Sequence, residues 1–143
     1  MTTSWKYQIR IYLERQSAEI ARHNLADPGF RFLRSVLEKH EASMKCQLDA
    51  FLNFIEESER QGRGSEPLCC WTRDTVNDPA KRVKHAQTFT LYIRGEEVYT
   101  RELADALEVD LMPLVNDSTI ERLSKHDTNP HNNPQIPERY RSQ

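Results

Sequence analysis

Near the start of the chain, apolar side chains fall on every second position. Trp5, Tyr7, Ile9, Ile11 and Leu13 alternate with Lys6, Gln8, Arg10 and Glu14. A strand turns successive side chains to opposite faces, so this period predicts a strand over residues 5–14 with one buried and one polar face. Tyr12 departs from the pattern. It puts an aromatic ring on the polar face, where it can cover a neighbouring element or a partner.

The period then changes. Residues 17–26 read as a helix with Ser17 as its N-cap, and Asp27-Pro28-Gly29 interrupts it. Asp27 suits the start of a new helix, and Pro28 suits its first position, where a missing N–H is harmless. From Phe30 onward, Leu33, Leu37, Met44, Leu48, Phe51 and Ile55 recur three, four or seven apart. That spacing predicts one long amphipathic helix from Phe30 to Ile55 and beyond, stopped by the glycines of Gln61-Gly62-Arg63-Gly64. His40 lies in the longest gap of its apolar stripe.

Further on, Pro67–Thr72 is a short apolar run that predicts a buried strand, and residues 73–82 read as a polar loop. Phe89, Leu91 and Ile93 alternate with Thr90 and Tyr92. With Gly95-Glu96 and the return at Val98-Tyr99, they predict a hairpin. Thr100 caps a helix over 101–109, and Pro113 predicts an irregular segment after it. Ser118-Thr119-Ile120-Glu121 has capping-box spacing and predicts a short helix to about Lys125. The expected domain is 1–126. The expected tail, 127–143, holds Pro130, Pro134 and Pro137 and is taken as disordered or draped on the surface.

These elements predict an α+β domain. It has about four strands in a mixed sheet, in βα-β-ββ-α order, ferredoxin-like or thioredoxin-like, with the long helix packed on one face.

Composition narrows the function classes. Of 143 residues, 37% are hydrophobic and 29% charged, and the net charge is −2. A dedicated duplex-DNA binder needs a strongly basic surface, so no duplex DNA is expected as partner. No run is long and apolar enough to span a membrane, and none resembles a signal peptide, so a cytoplasmic protein without a membrane partner is expected. The three cysteines are an odd number and fit reduced thiols. No cofactor is expected, because no phosphate-binding glycine loop is present. No metal is expected, because no C-x₂-C pair or helical H-x₃-H exists. His126 and His131 are near each other but are separated by Pro130.

Two readings follow. The first is a non-enzymatic interaction module that associates with itself or a protein partner. It rests on the long apolar stripe and on outward aromatics, with Tyr12, Phe32 and Phe54 as interface candidates. The second is a small enzyme or ligand-binding domain with a pocket between the long helix and the sheet, lined by His40, Cys46, Cys69, Cys70 and Tyr92. Cys69 and Cys70 are adjacent and so would point to opposite faces of a strand. His40 is the candidate for proton transfer.

Overall fold

The computed structural model describes residues 5–129 and 135–141. The alternating segment forms β1 (Tyr7–Tyr12), with Ile9 and Ile11 fully buried. α1 (Arg15–His23) follows. Its cap is the Glu14 carboxylate, which accepts from the Gln16 and Ser17 amides, in place of Ser17. Asp27 accepts from the Gly29 amide and opens a 3₁₀ turn at Pro28–Phe30 that runs into α2 (Arg31–Lys39).

The long helix expected from Phe30 to Ile55 is broken. α2 stops at His40, Glu41 turns the chain with φ 52°, and β2 (Ala42–Cys46) leads into α3 (Gln47–Arg60). The gap in the stripe between Leu37 and Met44 marks the break. Across it Ala42, Met44 and Cys46 alternate with Ser43 and Lys45, a period of two set inside a period of 3.6. A ladder to a distant strand then overrides local helix preference. α3 does end where the glycines predict, with Gly62 at φ 75°.

Pro67–Thr72, expected as a strand, is helical, and so is most of the expected loop. α4 (Pro67–Asn77) starts with Pro67 in its first turn and buries Cys69 and Val76, seven apart on one face. Asp78 then accepts from the Ala80 and Lys81 amides and starts α5 (Pro79–Ala86). This is the same Asp-Pro signal as Asp27-Pro28. β3 (Thr88–Ile93) follows. The expected hairpin shrinks to one bridge, Ile93 with Glu96, while Tyr99 bridges Tyr7 of β1. α6 (Arg101–Asn116) is capped by Thr100 as expected, but it continues through Pro113. Leu107, Leu111 and Leu114 are buried on one face of α6, and Val109, whose carbonyl Pro113 leaves without an amide donor, is on the exposed side, within reach of water. The short helix expected after Ser118 is a turn, with Ser118 at φ 69°, followed by β4 (Arg122–Asp127). Here the free edge of β1 decides the outcome, starting with the Glu121 amide on the Tyr12 carbonyl at 2.9 Å.

The sheet has the order β2-β3-β1-β4, and every neighbouring pair is antiparallel, where a mixed sheet was expected. β1 and β2 run the same way, but β3 lies between them. β3 and β4 likewise flank β1. α2 and α6 pack together over one face, where Leu33, Leu37, Leu107, Leu111 and Leu114 join Ile9, Ile11, Phe89, Leu91 and Ile93 in the core. α3, α4 and α5 pack on one another, and α3 and α5 reach β3. α7 (Glu138–Arg141) docks on α4. Tyr140 is buried, and its hydroxyl donates to Asp74 Oδ2 at 2.5 Å. Of the expected tail, residues 130–134 and 142–143 lie outside the described residues, and His131 with them.

Candidate functional site

If one face of the sheet carries the core, strand alternation sends the remaining side chains to the other. The registers arrange them in rows. Lys45, Thr90, Arg10 and Ser124 form a row across all four strands. Thr88, Tyr12 and Arg122 form the next. On the other side, Ser43 pairs with Tyr92 and Gln8 with His126. None of these strand side chains is acidic, although the whole chain is net negative.

Short polar chains border the face at both ends. At one end Gln47, the first residue of α3, donates to Thr90 Oγ1 at 3.4 Å, and its Oε1 meets His85 Nδ1 at 2.9 Å. Nearby, the Tyr12 hydroxyl donates to Gln87 Oε1 at 3.1 Å, and the Arg122 guanidinium lies 4.9 Å over the Tyr12 ring. At the other end the Gln8 amide donates to the carbonyl and carboxylate of Glu97, at 3.2 and 3.3 Å.

Arg10 holds the centre. Its Nε donates to Gln8 Oε1 at 2.6 Å. Among the described residues, no carboxylate is within ion-pair distance of it, and no other hydrogen bond of its guanidinium is made. Burial draws its pKa down from the ordinary value, and the negative charge of Glu97 pushes it back up. Burial also lowers the pKa of His85, helped by the positive charges of Lys84, Arg10 and Lys81. The Tyr92 hydroxyl is pushed up by burial and then by Glu97. Guanidinium presents five donors in a planar fork that matches carboxylate and phosphate oxygens. With Nε engaged, the terminal nitrogens of Arg10 can hold such a group between the hydroxyls of Thr90 and Ser124.

The residues singled out from the sequence are spread over the molecule. Tyr12 and Tyr92 share the polar sheet face. His40 caps α2, and its Nε2 meets Asp110 Oδ2 of α6 at 2.6 Å, on the opposite side of the sheet. Lys39 joins the same carboxylate at 2.9 Å, and hydrogen bonds from Lys39 and His40 hold the Asp110 pKa low. Cys46 is buried, with Sγ 3.4 Å from the carbonyls of both His85 and Ala86, and burial raises its pKa. Cys69 is buried in α4, and Cys70, half-buried, reaches the Gly64 carbonyl at 3.8 Å. Phe32 and Phe54 are exposed on α2 and α3.

Two half-open clefts lie beside α1. One, of about 290 Å³, runs between α1, β2 and α3 and is lined by Cys46, Met44, Phe89 and the Arg22–Asp49 pair. The other, of about 220 Å³, lies between α1 and α5. Of the five residues named for a pocket, Cys46 lines one of these clefts, and His40, Cys69, Cys70 and Tyr92 line neither. Among the described residues no group of three His, Cys, Asp or Glu side chains is placed to hold a metal, and no helix is long and apolar enough to cross a membrane.

Comparison with protein-family models, with curated proteins and with solved structures finds no match.

Sequence reasoning passed over Arg10, Thr90 and Ser124. Arg10 looked like any polar member of an amphipathic strand. Its partners became neighbours only through pairings of residues 80 and 114 positions away along the chain.

Proposed function

We propose that the chain is a binding domain that takes an anionic group on the polar face of its sheet, with Arg10 as the anchor. The observation that carries this reading is a half-buried guanidinium at the centre of the polar sheet face, beside the buried Gln8 and Thr90, with no carboxylate paired to it among the described residues. A cation removed from water is costly unless an anion compensates it. Gln8 fixes the guanidinium plane, and Thr90 and Ser124 offer hydroxyl donors on either side. The expected pocket between a long helix and the sheet has lost its premise, since that helix is two helices and a strand. In fold terms we read the β2-β3-β1-β4 order as ferredoxin-like, with α3, α4 and α5 inserted between its second and third strands.

Titration with tripolyphosphate, followed by backbone amide shifts, tests the reading. The expected result is saturable shifts at residues 10, 90 and 124, with affinity at least about tenfold weaker in Arg10→Gln, the loss of one charge-assisted bidentate contact. Equal binding by that folded variant, or no binding at millimolar ligand, overturns it.

A second reading, self-association, draws on Phe32, 59% exposed on α2, and on Val109 and Met112, exposed on the α6 that packs beside it. Sedimentation at micromolar concentration checks it, and a monomer there removes it.

A further inference from the structure

Three features of the polar sheet face go beyond the capture of one anion. First, its cations are spread out. Lys45, Arg10 and Arg122 stand on β2, β1 and β4. At ~4.8 Å per strand, they span roughly 14 Å across the sheet, farther than a single phosphate reaches. Second, the two central strands, β1 and β3, each carry one aromatic ring on this face, Tyr12 and Tyr92. The Tyr92 hydroxyl makes no hydrogen bond among the described residues. Tyr12 carries the Arg122 guanidinium over its ring, and Arg122 is itself exposed, so the stacked pair offers a planar surface to the outside. Third, Arg10, Tyr12, Tyr92 and Arg122 of this face lie outside both clefts beside α1. A small ligand usually requires a concave site that encloses it, whereas an extended chain can lie along a flat one.

Spread cations, planar side chains on the middle strands and an anchor outside the clefts together fit one ligand chemistry, a chain of phosphates that carries unpaired bases. Base stacking on Tyr and Arg planes supplies sequence-tolerant affinity, and the cations follow the backbone. We propose that the polar face of the sheet binds single-stranded nucleic acid, with Tyr92 and the Tyr12–Arg122 pair stacking bases and Arg10 and Lys45 holding phosphates. A duplex keeps its bases inside and offers these rings nothing to stack on. An acidic peptide or a membrane surface would use the cations and leave the rings idle.

This proposal rests on the anion-binding reading of Arg10, and its test separates the two. Fluorescence anisotropy is measured with a labelled twelve-nucleotide single strand, the matching duplex, and a polyphosphate of similar charge as competitor. The single strand is expected to bind more tightly than the duplex. Its log affinity should fall against log salt with a slope of about −1.4, the value for two phosphate contacts on single strands. Tyr92→Leu should weaken the single strand roughly tenfold or more and leave polyphosphate competition unchanged, and Tyr92→Phe, which keeps the ring, should restore it. Lys45→Gln, at an exposed edge-strand position, should reduce the slope by about 0.7 without touching the core. If polyphosphate binds and the single strand gains nothing over it, base recognition is wrong and the anion site survives. If neither binds, both readings fall. Duplex binding as tight as single-strand binding, or folded Tyr92→Leu and Lys45→Gln variants that behave as wild type, also overturns the proposal.

Discussion

Tyr99 shows how much one side chain can hold in this molecule. Its hydroxyl accepts from the Ile9 amide at 2.7 Å and donates to the Leu91 carbonyl at 2.9 Å, while its backbone pairs with Tyr7. It therefore joins β1 to β3 where their own ladder ends. Tyr99→Phe leaves a buried donor and a buried acceptor unmatched and should cost about 1–3 kcal/mol in urea unfolding at neutral pH. Burial also pushes the Tyr99 hydroxyl from an ordinary 10.0 up to about 12. A raised pKa means the folded state keeps a proton that the unfolded state gives up. The contribution is complete below about pH 10 and fades as pH rises toward 12. Wild type should lose stability across that window, and Tyr99→Phe should lack that part of the slope. Equal alkaline slopes in the two proteins would remove this account. At the same scale Arg10 depends on Gln8, whose amide is in turn held by Glu97, so the anchor's orientation is set by a chain of neighbours.

At the scale of elements, local signals compete with pairing. α5 buries no residue fully and depends on its cap, where Asp78 accepts two amides. Asp78→Ala should therefore lower stability by about 1 kcal/mol and loosen His85 and Gln87, which border the polar face. A thermal melt unchanged within error would show that the cap contributes nothing. In α6 the interior Pro113 forgoes one helical hydrogen bond and is outweighed by the buried Leu107, Leu111 and Leu114. Pro113→Ala should therefore raise stability by about 1–2 kcal/mol, less than the full ~3 kcal/mol interior penalty because the unfolded chain also gains freedom. A destabilised variant would mean that Pro113 is fitted to its surroundings. β2 shows the opposite balance, since its five residues lie inside a helical hydrophobic pattern yet pair along the edge of β3.

Across the whole molecule, β1 is the organising strand, paired on both sides by β3 and β4. Native-state hydrogen exchange should find its amides among the slowest and those of α5 among the fastest, because local opening follows burial and backbone pairing. Comparable protection in β1 and α5 would contradict this order. α7 adds one more layer through Tyr140 on Asp74. The hydroxyl's donation to that carboxylate, aided by burial, holds the Tyr140 proton on. Tyr140→Ala should speed exchange in α4 while leaving β1 unchanged, and an effect spread evenly over the molecule would argue against local docking.

Local chemistry was enough for some elements. The alternation around Ile9 and Ile11, the Asp27-Pro28 start, the Thr100 cap and the stop at Gly62 each depend on residues within one turn or one strand. So does the outward setting of Tyr12 and Tyr92, which follows from strand period alone. Other outcomes depended on what lay across the fold. Residues 42–46 became a strand because β3 offered an edge, and 122–127 because β1 did. Arg10 became the centre of a face only when Thr90 and Ser124 came in from either side. A sequence carries its own periodicities and caps, but strand pairing is a contract between distant segments, and only the folded chain shows which of them meet.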